Sequence, residues 1–304
     1  MTAAKLKIGS RGSDLALWQA RRVQTLLRNR LRRDSEIVIV KTQGDRIQNV
    51  AFHKMEGKGF FTKELQEALA GGKVDLVVHS LKDLPTEEPP GLEVVAMPER
   101  TTSSDLLLAR RGLLVDDEGF GLPPAAVVGT SSLRRAAQVL AACPEVRLEA
   151  LRGNVPTRIG KLRDGMYDAI LVAAAGVQRL ELDLDDLDCR QLPPSVMLPA
   201  PAQGALAVET RSGDSGTRVL AELHDDDAAR GVRAERRLLE LLGGGCHLPL
   251  GCRAETGADG LRLEAALGEI DEELTRATVR RVEAVGSDPE EAARSCHRQL
   301  TEPG

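Results

Sequence analysis

The segment VHSLKDLP at residues 78–85 brings a histidine, a serine, a lysine and an aspartate together where an apolar run ends. An acid such as Asp83 can balance positive charge that develops in a reaction, and an amine such as Lys82 can bind an anion. The same residues would also suit a solvated turn that is closed by Pro85. The segment is therefore either a turn or part of an active site.

A second polar cluster lies in VGTSSLRRA, residues 128–136. Ser131 or Ser132 is expected to cap a helix, which places Arg134 and Arg135 in its first turn. Cations are unfavourable there by up to about 1 kcal/mol each, because the helix dipole is positive at that end. An anionic ligand held by N–H groups, hydroxyls and guanidinium groups would offset this effect. The alternative is a pair of exposed surface arginines.

Cations or hydroxyl groups follow five of the predicted strands. They are Arg11, Lys82, Thr130, Ser131, Ser132, Arg134, Arg135, Arg152 and Arg179, with Arg158 in the helix after Arg152. In open α/β sheets, ligands bind outside the carboxyl ends of the strands. Because the whole chain has a net charge of −5, this clustering of cations favours a site for an acidic ligand.

The segment LLGGGCHLPLG, residues 241–251, displays Cys246 after three glycines. A buried structural cysteine is one interpretation. Zinc binding with His247 and Cys252 is another, although no second ligand pair stands at a familiar spacing. The end of a helix disfavours a thiolate, which argues against a nucleophile used in every turnover. It does not argue against an anchor that reacts once.

The glycine-rich segment EGKGFF, residues 56–61, follows a polar stretch and has a central lysine. It suits a mobile loop that closes over a cleft, and it equally suits a plain connector.

Composition excludes several classes of protein. Aromatic residues make up only 2% of the chain, which disfavours a binder of single-stranded nucleic acid. The net charge of −5 gives no general attraction for phosphate backbones or acidic membranes. No run reaches transmembrane length, and the start lacks the apolar stretch of a secretory signal, so we expect a cytoplasmic protein. The five cysteines form no C-x-x-C pair and suggest neither a disulfide framework nor a metal site.

Short β-type runs alternate with helical patterns over most of the chain, which predicts an α/β fold with mostly parallel sheets. The chain contains two such series of alternating strands and helices, and the second begins near Asp105. The proline-rich residues 191–204 suggest a crossover between domains. From about Asp225 the pattern changes to a helix, two amphipathic β runs and a last helix, which predicts a small α+β domain.

Eight segments resemble the porphobilinogen deaminase family, also called the hydroxymethylbilane synthases, and they occur in family order from Lys7 to beyond Cys252. They are GSRGSDLALWQA, GKGFFTKEL, VHSLKDLP, VGTSSLRRA, LRGNVPTRIGKL, DAILVAAAGVQRL, LPAPAQGALAVE and GGCHLPLG. The resemblance implies a transferase of tetrapyrrole biosynthesis, which joins four porphobilinogen molecules head to tail, releases ammonia at each step and finally releases hydroxymethylbilane by hydrolysis. It also implies a dipyrromethane cofactor on a thioether from Cys246.

The resemblance further implies two α/β domains like those of periplasmic binding proteins, with a central cleft, and a small α+β C-terminal domain. Domain 1 would comprise residues 1–101 and 201–221, domain 2 residues 102–200, and domain 3 residues 222–304, which carry the attachment cysteine.

The resemblance assigns roles to individual residues. Asp83 matches the catalytic aspartate, which would help the amine leave and hold the resulting azafulvene cation. Besides Cys246, the cofactor-binding positions match Lys82, Ser80, Asp45, Thr130, Ser131, Ser132, Arg134, Arg135, Arg158 and Gln203. The substrate-binding positions match Arg11, Ser13, Arg152, Arg179, Lys54, Lys58 and Phe61, and no metal is implied. The chain departs from common family residues at Asp14, Glu56 and Ala202.

The implied partner is porphobilinogen, and we expect a monomer without nucleic-acid or membrane partners. The alternative from another class is a two-lobed protein that binds an acidic small molecule without chemistry, since a fold does not fix a function. Incubation with porphobilinogen distinguishes the two, because a binding protein releases no ammonia.

Overall fold

The computed structural model describes residues 5–42, 62–115, 119–245 and 247–302. The strands are β1 (Leu6–Ser10), β2 (Ser35–Ile39), β3 (Leu76–Ser80), β4 (Leu92–Ala96), β5 (Asp105–Arg110), β6 (Val127–Gly129), β7 (Arg147–Glu149), β8 (Ala169–Ala173), β9 (Leu187–Gln191), β10 (Leu206–Arg211), β11 (Leu250–Gly257), β12 (Gly260–Ile270) and β13 (Ala277–Gly286). The helices are α1 (Asp14–Leu31), α2 (Lys63–Ala70), α3 (Leu133–Ala142), α4 (Val155–Arg163), α5 (Ala174–Arg179), α6 (Asp226–Leu241) and α7 (Pro289–Thr301).

The described residues divide into two compact units. The first contains residues 5–42, 62–101 and 204–230. The second contains residues 102–115, 119–203, 231–245 and 247–302. The division into three domains at the boundaries given above stays a prediction.

The first unit is built on a five-stranded sheet with the order β2-β1-β3-β10-β4. Strand β1 runs parallel to β2 and β3, whereas β10 is antiparallel to β3 and β4. Helix α1 buries Ala20, Val23 and Leu27 against this sheet, which is the face that its apolar spacing predicts. The carboxyl ends of β1 and β3 therefore share one edge with the amino end of β10.

The second unit contains a five-stranded sheet with the order β7-β6-β8-β5-β9. Strand β6 is parallel to β7 and β8, and β5 is antiparallel to β8 and β9. In both sheets, the fourth strand in the order is thus an antiparallel one between two neighbours. The carboxyl ends of the parallel strands and the amino end of β5 share one edge. These two sheets with their helices, together with the small C-terminal part, confirm the predicted α/β class with two sheet domains and a small α+β part.

The C-terminal part of the second unit is a three-stranded antiparallel sheet, β11-β12-β13. Its core contains Leu238 of α6, Leu263 of β12 and Leu300 of α7, all buried. The expectation of two β runs was wrong, because β11 is a third strand. Its first residues are buried on both faces and show no period of two; a Cβ at Gly251 would lie 2.6 Å from the backbone oxygen of Leu198.

Within the described ranges, no helix is both long enough and apolar enough to cross a membrane.

Candidate active site and cofactor site

The lysine and aspartate of VHSLKDLP lie on a single 3-10 turn, Leu81–Asp83, directly after β3. The buried Leu81 fixes the turn, and its backbone N–H donates to the carbonyl of Ala205 at 3.0 Å. The N–H of Leu84 donates back to the carbonyl of Leu81 at 3.2 Å. The turn holds Asp83 exposed and Lys82 half-buried at the edge of the first sheet. Asp83 is thus a solvent-accessible carboxylate on a rigid support.

Ser80 and His79 have different environments although they are neighbours. The hydroxyl of Ser80 accepts a hydrogen bond of 2.6 Å from Nε2 of the buried Gln19. His79 is buried, and its Nε2 lies 2.9 Å from Oε2 of Glu209. His79 therefore belongs to the interior, whereas Ser80 ends β3 at the edge that carries Asp83.

Arg11 and Ser13 lie between β1 and α1, and both are half-buried. Because β1 runs parallel to β3, with Gly9 opposite Val77, the chain leaves both strands at the same edge. The first sheet therefore brings together five predicted site residues: Arg11, Ser13, Ser80, Lys82 and Asp83.

The hydroxyl groups after β6 shape the start of α3. Ser132 is the N-cap, and its side chain accepts from the backbone N–H of Arg135 at 3.5 Å. The hydroxyl of Thr130 accepts from the N–H of Ser132 at 3.2 Å, and the hydroxyl of Ser131 donates to the carbonyl of Leu151 at 2.9 Å. All three hydroxyls thus stabilise the turn that presents the arginines.

Arg134 and Arg135 are 4% and 6% exposed, so the alternative of surface arginines was wrong. Both bind Asp105, which is fully buried. Nη1 of Arg134 donates to Oδ2 of Asp105 at 2.7 Å, and Nη2 of Arg135 donates to Oδ1 at 2.7 Å. Burial would raise the pKa of Asp105, but the two arginines lower it well below its ordinary value.

Gln203 lies at the same carboxylate. Its Nε2 donates to Oδ1 of Asp105 at 3.0 Å and to the carbonyl of Ser103 at 2.6 Å. Sequence reasoning found Gln203 through the family resemblance but missed Asp105, because it considered only the residues that follow strands. Asp105 is the first residue of the antiparallel β5, so it reaches the same edge from the other direction. The signal in the sequence was an acid directly before the apolar run LLLA.

The remaining predicted arginines follow β7 and β8. Arg152 is half-buried, and burial lowers its pKa. Nε of Arg158 donates to the carbonyl of Gly153 at 2.8 Å, and Arg179 is buried at the end of α5. Together with the residues after β6, they lie on the carboxyl side of one sheet, as the strand-end rule predicts.

Five of the predicted site residues lie outside the described residues: Asp45, Lys54, Lys58, Phe61 and Cys246. The flanks of Cys246 are described, and the N–H of Leu248 donates to the carbonyl of Gly245 at 3.0 Å. Farther along, the buried carboxylate of Glu235 accepts from the N–H of Ala202 at 2.8 Å and from that of Ala254 at 2.9 Å. This carboxylate joins α6 to β11 and to the segment that leads into Gln203.

The other four cysteines are described. Cys252 and Cys296 are fully buried in the C-terminal core, and burial raises the pKa of the Cys296 thiol to about 12. Cys143 is half-buried, and Cys189 is exposed. In the described part of the chain, no three His, Cys, Asp or Glu side chains are grouped as metal ligands.

Two family models cover most of the chain. The porphobilinogen deaminase dipyromethane cofactor binding domain matches residues 6–219, and the porphobilinogen deaminase C-terminal domain matches residues 229–302. The chain belongs to the porphobilinogen deaminase family. This relationship makes it a transferase of tetrapyrrole biosynthesis with hydroxymethylbilane synthase function and a dipyrromethane cofactor.

The relatives match along nearly their full length. The porphobilinogen deaminase of Maridesulfovibrio salexigens is 46% identical over 88% of this chain and 85% of its own. That of Thiobacillus denitrificans is 43% identical over 98% of this chain and 96% of its own. Among solved structures, the BvgS periplasmic VFT2 domain of Bordetella pertussis aligns with 72% of this chain and 86% of its own, at 14% identity and a TM-score of 0.42. That structural similarity is too weak to carry an argument.

The arginine pair fits the acidic cofactor of the porphobilinogen deaminase family. Two guanidinium groups face one carboxylate, so the buried group of Arg134, Arg135 and Asp105 keeps one net positive charge. Nε of Arg134 is buried and has no hydrogen-bond partner among the residues that the structure describes. A carboxylate of a bound pyrrole would supply both the missing charge and the missing acceptor.

Proposed function

We propose that this porphobilinogen deaminase family member joins four porphobilinogen molecules in sequence, with Asp83 as the catalytic residue and Cys246 as the covalent anchor of the cofactor. Porphobilinogen carries an acetate and a propionate, so the growing chain accumulates carboxylates. Arginine suits such ligands because its planar group stays charged and binds a carboxylate through two parallel hydrogen bonds.

Asp83 acts at the point where charge develops. As ammonia leaves, the substrate becomes an azafulvene cation, and the carboxylate of Asp83 balances this charge and accepts a hydrogen bond from the pyrrole N–H. The 3-10 turn that holds Asp83 is fixed by the bonds of Leu81, so the carboxylate needs little rearrangement during the reaction. The observation that carries the proposal is this exposed carboxylate at a strand end in a chain of this family.

The arginines act by binding and orienting. The proposed cofactor-binding residues are Arg134, Arg135, Lys82, Ser80, Thr130, Ser131, Ser132, Arg158 and Gln203. The proposed substrate-binding residues are Arg11, Ser13, Arg152 and Arg179. When bound, the dipyrromethane supplies the free pyrrole position to which the first substrate is joined. The cations keep the acidic pyrroles in place while Asp83 acts.

The proposal extends to the residues outside the described ranges. Asp45 is a further proposed cofactor-binding residue, and Lys54, Lys58 and Phe61 are further proposed substrate-binding residues. The proposed division of the chain is domain 1 at residues 1–101 and 201–221, domain 2 at residues 102–200 and domain 3 at residues 222–304. A cytoplasmic location and a monomeric state complete the proposal, and light scattering of the purified protein tests the latter.

The test combines intact mass with ammonia release. Purified protein should be heavier than its sequence by two porphobilinogen units less the ammonia lost in joining them, and peptide mapping should place that mass on Cys246. Incubation with porphobilinogen should release ammonia and hydroxymethylbilane. Protein that binds porphobilinogen without releasing ammonia would instead be a two-lobed binding protein.

A further inference from the structure

We propose that Asp105 is a positioning residue of the cofactor site, which orients Arg134 and Arg135 and leaves one edge of Arg134 for a ligand carboxylate. The inference rests on the proposed function, in which this arginine pair binds the acidic pyrroles. It assigns a role to a residue that does not itself contact the ligand and acts by orienting the arginines.

The contacts of Asp105 divide between its two oxygens. Oδ1 accepts from Nε and Nη2 of Arg135 at 3.2 and 2.7 Å, so one whole edge of that guanidinium group is taken. Oδ2 accepts from Nη1 of Arg134 at 2.7 Å. The remaining bonds go to backbone: Nη1 of Arg135 donates to the carbonyl of Leu171 at 2.9 Å, and Nη1 of Arg134 to that of Leu198 at 2.8 Å.

The two arginines therefore differ in what they can offer a ligand. Arg135 uses its Nε and Nη2 edge on Asp105. Arg134 makes its side-chain hydrogen bonds through Nη1, and its buried Nε has no partner in the described part of the chain. The Nε and Nη2 atoms of a guanidinium group form the edge that binds a carboxylate through two parallel bonds. Asp105 thus fixes Arg134 by the opposite atom and keeps this edge for a ligand.

Surrounding groups hold the carboxylate itself in place. Nε2 of Gln203 donates to Oδ1 of Asp105 at 3.0 Å. Gln138 fixes Leu198 from both sides, because its Oε1 accepts from the N–H of Leu198 at 2.8 Å and its Nε2 donates to the carbonyl at 3.0 Å. Asp105 is fully buried, so water does not compete for these bonds. The arginine pair is consequently arranged before any ligand arrives.

The experiment measures how fast the apoprotein acquires its cofactor. Full-length chains are expressed in a host that makes no porphobilinogen, incubated with porphobilinogen and sampled by intact mass. Thermal unfolding of each chain is followed in parallel. The variants are Asp105→Asn, which removes the charge, and Asp105→Glu, which keeps the charge but moves the carboxylate.

The matched control is Asp168→Asn, which changes an acid at the opposite edge of the same sheet. Asp168 accepts from the N–H of Val127 at 2.8 Å and binds Arg110, but it is remote in register from Asp105, which pairs with Ala173 at the far end of β8. It reports how far a general loss of stability in this sheet slows cofactor uptake.

We expect Asp105→Asn to acquire the two-pyrrole mass at least about tenfold more slowly than the unmodified chain, since charge-assisted bonds to the arginines are lost. Asp105→Glu should be slowed by a similar factor, because its carboxylate no longer lies where it orients the arginines. It should nevertheless unfold at a higher temperature than Asp105→Asn, because it keeps the negative charge. Asp168→Asn should load normally. If folded Asp105→Glu loads as fast as the unmodified chain, or if loading merely follows unfolding temperature across all variants, the inference is wrong. If the unmodified chain gains no two-pyrrole mass, the proposed function itself fails.

Discussion

Asp83 and Asp105 lie at corresponding edges of two sheets with the same pattern of parallel and antiparallel pairs, yet Asp83 is exposed and Asp105 is fully buried. In the first sheet, Ser80 at the end of β3 pairs with Leu206 at the start of the antiparallel strand. In the second sheet, Ala173 at the end of β8 pairs with Asp105 at the start of the antiparallel strand. The acids thus reach their edges from strands of opposite direction.

The difference shows how the same sheet edge serves two purposes. Asp83 is held by backbone bonds of its turn and keeps its carboxylate accessible, which suits a group that meets changing charge on a substrate. Both carboxylate oxygens of Asp105 accept hydrogen bonds from within the chain, from Arg134, Arg135 and Gln203. A buried acid with such partners organises a site, and an exposed acid on a rigid turn can take part in its chemistry.

The largest expected effect is on stability, and it should separate the two acids. Asp105→Asn should lower the free energy of unfolding by about 3–5 kcal/mol, because it leaves two buried guanidinium groups without their carboxylate. Asp83→Asn should change that free energy by less than about 0.5 kcal/mol, as surface substitutions usually do. Urea unfolding of both variants measures the difference, and equal losses would remove the distinction between them.

The two acids should also differ in their effect on turnover, where Asp83 rather than Asp105 should have the direct role. Asp83→Asn should release ammonia from porphobilinogen about a hundredfold more slowly or worse, because an amide cannot balance the azafulvene cation. Asp14→Asn is the matched control, since Asp14 is another exposed acid beside the same edge, in the first turn of α1. A steady-state ammonia assay checks both. If the control loses as much activity as Asp83→Asn, general electrostatics explain the effect better than a catalytic role.

The arginines offer a third way to sharpen the comparison. Arg134→Leu should acquire cofactor at least about tenfold more slowly, because a charge-assisted bond to the ligand is lost. Arg135→Leu should also be impaired, since it removes the two hydrogen bonds that Oδ1 of Asp105 accepts from Arg135. Arg32→Leu, at the carboxyl end of α1, should load normally. Intact mass after incubation with porphobilinogen gives the result for each, and similar behaviour of all three would contradict the carboxylate-binding role.

The smallest expected effect is a pH dependence of the difference between the unmodified chain and Asp105→Asn. The pKa of Asp105 is lowered in the folded chain, so its contribution to stability is fully present above the ordinary value of 3.8 and is lost as the pH falls below it. The difference in unfolding free energy should shrink by at most about 1.4 kcal/mol per pH unit there. A difference that grows as the pH falls would mean that Asp105 is not charged in the folded chain.

Much of the fold could be predicted from spacing alone. The apolar stripe of α1, the capped start of α3 and the cap of α4 at Asn154 all follow from local chemistry. The strand β11 could not be recognised, because its first residues are buried by tertiary contacts on both faces.

Only part of the candidate site could be predicted, because tertiary pairing determines where some of its residues lie. The cations could be predicted because they directly follow the apolar runs of predicted strands, and ligands bind outside the carboxyl ends of such strands. Asp105 could not be found in this way, because the direction of β5 depends on pairing with β8, which lies more than fifty residues away. The burial of Arg134 and Arg135 could not be predicted from the sequence either, since both arginines are buried against that same acid.

The most direct test of the proposed division of labour is to measure cofactor loading and ammonia release on the same sample of Asp83→Asn. The proposed catalytic role of Asp83 predicts the full two-pyrrole mass on Cys246 together with ammonia release that is slower by about a hundredfold or more. A fully loaded Asp83→Asn protein that turns over porphobilinogen at a near-normal rate would contradict it.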